Sequence, residues 1–600
     1  MSESSRKVVL RGGKIVDVQH KSVREGDVVV ENDVIVAVGG RAEEDGARTL
    51  DVTGRYVAPG LIDAHLHIES SMLTPLEFAR NAVRHGTTAV FVDPHEIANV
   101  AGRTGIKMFL EQAKQAPIDI FVGVPSCVPA TPLEQAGATI GVEDIRALIG
   151  HEGVYGLAEM MNFPGIIHGK GDAREKVELV FELGKIVDGH SPRVSGEDLR
   201  RYVSNGRDDG VVRIMGDHES SEAEEALEKR RLGMYVAMRY STLSADLDRI
   251  LPGVLQQTRD LDGFMLCSDD IAPIELAEQG HMDRTVRRAR ELLREHAGLE
   301  LVEATLEAIA LATVQPGRYF ERFFAFHDRP GIGTLAPGRR ANIVVFDSLE
   351  RLDVDKVLRG GQLVVDAGEY LGEDVAWNYG GLLETVRIAR LIRPDDFSLH
   401  VGTRGPTATV RVIGIVPKQL PTALETHELP LQNGRLHADP ERDIAKIAVI
   451  ERHHGTGAIG VGLVRGLGLE RGAVASTVAH DSHNLVVAGV DDESMARVAN
   501  RLVELGGGLA AVGGDAGDAS GEAAGELALP VGGLMSAKPI AEVVAHYRKL
   551  QQMVRQTGSP HENLFMILSF LPLAVIPELR ITSNGLVDVG RFELVPLEVS

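Results

Sequence analysis

Cysteine is scarce in this sequence of 600 residues, which contains only Cys127 and Cys267. The two cysteines stand far apart and form no Cys-x-x-Cys pair, which excludes a disulfide framework and a structural zinc knuckle. Both are expected to be small buried residues and not nucleophiles. A reducing compartment fits this usage best.

Long apolar runs and a leader segment are lacking as well. No run approaches the ~20 apolar residues that are needed to span a bilayer. Met1–Lys7 lacks the basic and then apolar layout of a signal peptide. The sequence therefore predicts a cytoplasmic protein with no membrane partner.

Positive charge is in deficit, because 63 Lys and Arg stand against 86 Asp and Glu, for a formal net charge of -23. The summed field of such a chain repels phosphate backbones and anionic lipids. We expect no nucleic-acid partner. The chain also lacks a P-loop motif, so ATP coupling is not expected.

Short apolar runs separated by turn residues occupy the first 56 residues and return at Ala341–Asp347 and Leu363–Asp366. This texture predicts small antiparallel strands. The simplest topology is one small β-sandwich domain, split into residues 1–56 and 331–375, around an inserted domain.

The insert, residues 57–330, alternates short β-rich runs with longer helical stretches, which is the rhythm of a parallel sheet. Eight such units in about 270 residues match the usual length of a closed (β/α)8 barrel. The predicted fold class is thus α/β, with a metal-dependent (β/α)8 barrel as catalytic domain. The predicted strands are residues 57–64, 88–92, 119–124, 154–158, 185–187, 211–215, 234–238 and 264–268.

A third region, residues 380–600, has its own strands near Ala408–Ile413 and Ile447–Ile450 and a helix over Asp492–Glu504. It is long enough to form an α+β domain with its own core. The Gly- and Ala-rich tract Gly506–Gly525 is expected to be a flexible loop or a hairpin.

Metal-binding residue types stand at the ends of several predicted barrel strands, where βα loops converge on one pocket. His65 and His67 are two residues apart, so in an extended segment both rings point to the same side and can reach one ion. Further residues at independent strand ends are Glu159, His190, His218 and Asp269. Four imidazoles and two carboxylates suit one or two divalent ions with a position open for water.

These residues resemble the metal centre of the amidohydrolase superfamily, whose barrel carries a flanking split β-domain. The resemblance implies that Glu159 stands where many relatives carry a carboxylated lysine. Ala341-Asn342 departs from the Ala-Asp step of many relatives. The implied metal ligands are His65, His67, Glu159, His190, His218 and Asp269.

Longer motifs narrow the resemblance to the bacterial adenine deaminase family. The similarity implies hydrolytic deamination of adenine to hypoxanthine and ammonia, as in purine salvage, with adenine and water as small-molecule partners. It also implies a homo-oligomer, taken as a dimer, and a C-terminal domain of the adenine deaminase type. The motifs are Asp63–Met72, Asp93–Asn99, Glu159–Asn162, Cys267–Asp270, Ala479–Asn484 and Gly532–Ser536.

A bound divalent ion lowers the pKa of its water from 15.7 toward ~7 and so supplies a hydroxide. In this hypothesis Asp269 takes the water proton and passes it to the departing ammonia, while Glu159 and His218 complete the catalytic set. Two ions are expected. Zinc suits the ligand types, whereas the resemblance implies manganese or iron. Whether Asp269 or Asp270 is the ligand stays open.

Residues just beyond the first two strand ends and the last are candidates for contacts with the purine, since a small flat ring needs placed donors and acceptors. They are Glu69, Ser70, Asp93, His95, Glu96 and Asp270. Asp93 is also a candidate metal ligand. The alternative is that Asp93–Glu96 forms a turn that caps the following helix.

His480, Asp481 and His483 form a polar cluster in the third region. A second metal site, a lid over the barrel mouth and an ordinary hydrogen-bonded loop are all compatible with it. Two other functions also stay open: an amidohydrolase that acts on a cyclic amide or an N-acyl substrate, and a non-catalytic scaffold. The filled ligand positions argue against the scaffold.

Overall fold

The structure is a computed structural model that describes residues 7–599, apart from residues 44–45, 374, 404, 418 and 514–523. It begins with strands whose apolar side chains are buried on one side, as expected of a half-covered sheet. They are β1 (Lys7–Asp17), β2 (Ser22–Glu31), β3 (Val34–Val38), β4 (Arg48–Asp51) and β5 (Tyr56–Pro59).

Eight parallel strands follow, and most are buried along their whole length, which explains their continuous apolar sequences. Their bounds are β6 (Leu61–Leu66), β7 (Thr87–Val92), β8 (Asp119–Val124), β9 (Val154–Met160), β10 (Ile186–Gly189), β11 (Gly216–Asp217), β12 (Tyr235–Arg239) and β13 (Phe264–Cys267).

These strands form a five-stranded sheet, β10-β9-β8-β7-β6, and a three-stranded sheet, β11-β12-β13. A parallel bridge between Leu66 and Asp269 joins the first strand to the last. At the other junction the Met215 N–H donates to the Val187 carbonyl at 2.9 Å. The result is a curled parallel sheet, consistent with a (β/α)8 barrel.

Two predicted strands were placed wrongly. Residues 57–64 contain two strands, β5 and β6, that belong to different sheets. They separate at Gly60, where an added Cβ would lie 2.2 Å from Thr88 Oγ1, so the close approach requires glycine. The strand predicted at 211–215 lies instead at β11, Gly216–Asp217. The N–H groups of Arg213 and Ile214 donate to the Val203 carbonyl, so these residues do not join the sheet.

Helices cover the outside of the parallel strands. The bounds are α1 (Pro75–Arg84), α2 (His95–Ala101), α3 (Arg103–Ala113), α4 (Val142–Leu148), α5 (Phe163–His168), α6 (Ala173–Glu182), α7 (Gly196–Val203), α8 (Ala223–Arg231), α9 (Leu247–Gln257), α10 (Pro273–Glu278), α11 (Met282–Ala297), α12 (Leu301–Leu311), α13 (Val314–Tyr319) and α14 (Glu321–Phe326).

An aromatic cluster fills the barrel interior between the strands and the last two helices of this region. Phe320 stacks on Phe91 with ring centroids 3.3 Å apart, and Phe323 packs edge-on against Phe121 at 5.0 Å. Phe91, Phe320 and Phe323 are fully buried. The polar side chains therefore collect at the opposite, carboxyl end of the strands.

The chain then returns to its first sheet. Antiparallel pairing of β5 with the first of these returning strands gives nine strands in one sheet among the described residues. The returning strands are β14 (Ile343–Phe346), β15 (Val354–Arg359), β16 (Gln362–Asp366) and β17 (Glu369–Tyr370).

The last region builds an eight-stranded sheet with the order β20-β19-β23-β22-β25-β24-β26-β27, and α15 packs on it. The strands of this region, inside and outside that sheet, are β18 (Leu399–His400), β19 (Thr407–Ile415), β20 (Thr422–Pro430), β21 (Arg435–Leu436), β22 (Ile444–Ile450), β23 (Ile459–Arg465), β24 (Ala473–Ser476), β25 (Leu485–Gly489), β26 (Gly508–Val512), β27 (Ala524–Ala528), β28 (Leu579–Thr582), β29 (Gly585–Asp588) and β30 (Glu593–Val595). The helices are α15 (Asp492–Glu504), α16 (Ile540–Gln556) and α17 (Leu564–Phe570).

The Gly- and Ala-rich tract supplies two antiparallel strands, β26 and β27. Its middle, residues 514–523, lies outside the described residues. Among the residues that are described, no helix has both the length and the apolar character needed to cross a membrane.

Candidate metal centre and substrate site

The six side chains predicted as metal ligands lie together at the carboxyl ends of the parallel strands. His65 Nε2 lies 3.3 Å from His67 Nε2, and His67 Nε2 lies 3.3 Å from Asp269 Oδ1. Asp269 reaches this position because it has a left-handed backbone, φ 57°, just after β13, and its N–H donates to the His65 carbonyl at 3.0 Å. The last strand is thus tied directly to the first.

Glu159, at the end of β9, stands between two groups of histidines. Its Oε1 lies 3.5 Å from His67 Nε2. Its Oε2 lies 2.5 Å from His190 Nδ1 and 3.2 Å from His218 Nε2. Burial favours the neutral acid, yet His190 and His218 hold the pKa of Glu159 well below its usual value. The Glu159 carboxylate can therefore reach both groups of histidines.

The donor set fits a divalent cation. Two triads, His65–His67–Asp269 and His65–Glu159–His218, each place their ligand atoms within 4.8 Å of one another, and all five residues are buried. Imidazole nitrogens that face each other in a buried space, with carboxylates between them, have no better common partner than a metal ion. Burial opposes protonation of His218, but Glu159 raises its pKa to about 9. A divalent ion that bound His218 would therefore have to displace a proton.

Several supporting groups were not identified from the sequence. The Arg239 Nη1–H donates to Asp269 Oδ2 at 3.2 Å, and Asp188 Oδ2 lies 3.6 Å from His65 Nδ1. His281 Nε2 lies 3.1 Å from Asp63 Oδ2. Asp63 lies in a ligand motif and Asp188 lies two residues before the candidate ligand His190, so the sequence held a signal for both, whereas Arg239 and His281 belong to no motif.

The interpretation of Asp93–Glu96 as a helix cap is wrong. The helix α2 has Pro94 as its N-cap and no capping side chain. In the part of the chain that the structure describes, neither carboxyl oxygen of Asp93 has a hydrogen-bond partner, although Oδ2 lies 3.3 Å from His95 Nδ1. The same His95 nitrogen lies 3.4 Å from Glu159 Oε1. Burial opposes the charge on His95, but Asp93 raises its pKa to about 10.

Glu69, Ser70, Glu96 and Asp270 form a second acidic group beside the metal ligands. Ser70 Oγ–H hydrogen-bonds to Asp270 Oδ1 and lies 3.3 Å from Glu96 Oε1. The Ile97 N–H donates to Glu69 Oε1 at 3.1 Å. Burial raises the pKa of Glu69 to about 7, that of Asp270 to about 6 and that of Glu96 well above its usual value. Asp270 faces Ser70, so the geometry favours Asp269 as the ligand.

The C-terminal region closes this end of the barrel. His480 Nδ1 lies 3.4 Å from Glu96 Oε1, and its ring stacks on Phe570 at 4.5 Å. Asp481 Oδ1 lies 3.8 Å from His95 Nε2, and His483 is fully buried. The Asn484 Nδ2–H donates to the Gln135 carbonyl at 2.7 Å, which fixes the segment against the barrel loops.

The parallel strands with a histidine and carboxylate centre at their ends define a protein of the amidohydrolase class, and residues 56–364 match the amidohydrolase family. Residues 419–593 match the adenine deaminase C-terminal domain. The chain is 41% identical over 590 residues to an adenine deaminase of Desulfatibacillum aliphaticivorans, covering 98% of this chain and 97% of the relative. It is 42% identical to one of Cereibacter sphaeroides, over 98% of this chain and 97% of the relative. The chain belongs to the adenine deaminase family.

Proposed function

We propose that this protein is a metal-dependent hydrolase that converts adenine and water to hypoxanthine and ammonia. The observation that carries the proposal is the identity of 41% with an adenine deaminase over 98% of this chain. A local likeness of the barrel alone would leave the substrate open, because one fold hosts many reactions. The likeness here includes the C-terminal region that faces the site.

We propose that the parallel strands from β6 onward close into a complete (β/α)8 barrel that ends near residue 330. The flanking β-sandwich would comprise residues 1–59 and 331–375, because β5 pairs in its sheet and not in the barrel. Residues 380–600 would form the α+β domain. Pairing of β5 with β14 supports the split domain. A homo-oligomeric state and a cytoplasmic location stay predictions.

The centre is proposed to hold two divalent ions. His65, His67 and Asp269 would hold one, His190 and His218 the other, and Glu159 would bridge them. Manganese or iron is expected from the family resemblance, and zinc from the ligand types. When bound, the ions supply a water of low pKa and polarise the developing charge.

Asp269 moves the proton in this mechanism. Oδ2 accepts from Arg239, so Oδ1 remains directed at the histidines and can take the proton of the attacking water. The water oxygen adds to purine C6, the C6–N6 bond breaks, and the proton leaves with ammonia. Glu69 can hold a proton on its unpartnered Oε2 for a ring nitrogen, because burial raises its pKa to about 7.

Enclosure by the C-terminal region excludes bulk water, which strengthens each electrostatic contact to the ring. His95, Asp93 and Asp481 are buried polar groups at the boundary between the two regions. We propose that they position the purine, with Ser70 and Asp270 as neighbours on the barrel side.

The test is ammonia release and the ultraviolet change with adenine, using protein loaded with manganese and a chelator-treated sample. Manganese-dependent hypoxanthine formation is expected. A matched Glu159→Gln variant should bind less metal and show no turnover. If tightly loaded protein leaves adenine unchanged but opens a cyclic amide or cleaves an N-acyl substrate, the proposal is wrong.

A further inference from the structure

Glu96 and His483 face each other across the boundary between the barrel and the C-terminal region. Both are fully buried. Among the described residues, Glu96 Oε2 and His483 Nε2 have no hydrogen-bond partner. A Glu96 oxygen and one nitrogen each of His480 and His483 lie within 4.8 Å of one another. Buried polar atoms with no partner cost free energy, so such a pair indicates a missing ligand group.

The backbone fixes the tautomer of His483. The backbone N–H of Ala479 donates to the ring atom His483 Nδ1 at 3.0 Å. The backbone N–H of His483 donates in turn to the Ala479 carbonyl at 2.7 Å, which holds the two residues together. Burial lowers the pKa of His483 well below its usual value, so the ring is neutral. Since Nδ1 accepts, the single proton lies on Nε2. His483 is therefore a rigid hydrogen-bond donor.

This tautomer argues against a metal ion at Glu96, His480 and His483. A metal ligand needs a free lone pair, and Nε2 carries the proton. What remains is a donor on His483 beside an acceptor on Glu96, because either ionisation state of the Glu96 carboxyl keeps an oxygen that accepts. Glu96 also belongs to a group with His67 and His95, so this pair adjoins the metal ligands.

We propose that Glu96 and His483 recognise the edge of the purine remote from the reacting carbon, with Glu96 accepting from ring N9–H and His483 donating to ring N3. This subsite rests on the proposed adenine deamination and accounts for the substrate specificity of that reaction. An N9 substituent removes the donor that Glu96 needs and occupies its space. Glu96 therefore selects the free base over N9-substituted purines such as nucleosides, and His483 of the C-terminal region selects rings that carry a nitrogen at position 3.

The test compares adenine with two analogues that each remove one contact, 3-deazaadenine for N3 and 9-methyladenine for N9–H. Manganese-loaded protein should prefer adenine over 3-deazaadenine by about tenfold or more in kcat/KM, the value of one buried hydrogen bond. In His483→Phe the ratio should fall to near one, because only the adenine reaction loses a contact. In Glu96→Ala the preference over 9-methyladenine should fall by about tenfold or more.

His453→Phe is the matched control, because His453 is a buried histidine that contacts Ser482 in the same segment without belonging to the Glu96 group. It should retain the wild-type ratios. Equal losses on adenine and its analogue in His483→Phe and Glu96→Ala would overturn the subsite. Loss of a metal equivalent in His483→Phe alone would assign a metal site instead. Absence of any adenine turnover in loaded wild-type protein would show that the proposed function itself is wrong.

Discussion

The two ends of the barrel bury polar groups in opposite ways. At the amino end, Asp119 accepts from Arg340 and Asn342 at 2.8 Å and from Arg359 at 2.9 Å. Lys185 there donates to the Val154 carbonyl at 2.7 Å. At the carboxyl end, atoms of Asp93 and Glu96 are buried and find no hydrogen-bond partner within the described ranges.

This difference distinguishes buried polar groups that stabilise the fold from buried polar groups that serve function. A buried polar group that is fully paired stabilises one packing arrangement, whereas an unpaired group lowers stability until a ligand binds it. The amino end should therefore govern folding and the carboxyl end should govern turnover. Substitutions at the two ends test this division.

The largest effect is expected at the carboxyl end. Asp269→Asn removes the proton acceptor, so turnover of adenine should fall by about 10²–10⁴-fold, the usual contribution of acid–base catalysis. The thermal midpoint should fall little, because Arg239 remains paired with Asp246. The Asp246 Oδ2 lies 2.8 Å from the Arg239 Nη2. Steady-state kinetics and thermal unfolding measure both. Near-normal turnover would exclude the role of Asp269.

The reverse pattern is expected from the aromatic cluster. Phe320→Ala leaves a cavity beside Phe91 and should cost about 3–5 kcal/mol of unfolding free energy. The remaining folded protein should keep its kcat, because Phe320 packs in the interior away from the ligand atoms. Urea unfolding and kinetics on folded protein test this. A selective loss of kcat with unchanged stability would contradict the division between the ends.

The clustering of the candidate ligands could be predicted from the sequence better than the surroundings of those ligands. Ligands at strand ends follow from barrel geometry, so His65, Glu159 and Asp269 could be placed without a structure. Arg239 and His281 could not, because their roles depend on which side chains meet across strands. The contact of His480 with Glu96 depends in the same way on docking of the C-terminal region, which spacing along the chain does not encode.

Strand positions failed where local packing overrides the apolar pattern. The run at 57–64 looks like one strand, and only the contact of Gly60 with Thr88 divides it between two sheets. The departure at Asn342 has a physical reason as well. Its Nδ2–H donates to Asp119 Oδ2 and its Oδ1 accepts from the Gly360 N–H at 2.9 Å, whereas an aspartate would place two carboxylates together.

The smallest effect concerns acid stability at the amino end. Burial favours the neutral acid, but Arg340 and Arg359 lower the pKa of Asp119 to about 2, against a usual value of 3.8. The unfolded chain therefore binds this proton first as the pH falls. The Asp119 contribution, about 2 kcal/mol, is fully present above pH ~4 and is lost as the pH falls through ~2.

Asp119→Asn should consequently be less stable than wild type by about 2 kcal/mol near neutral pH, with the difference shrinking between pH ~4 and ~2. Urea unfolding of chelator-treated protein measures this without interference from metal loss in acid. Asp209→Asn should change stability less, because the Asp209 carboxylate that pairs with the buried Arg213 is itself exposed and is screened by solvent. An Asp119→Asn difference that does not depend on pH would show that Asp119 acts through packing and not through its charge.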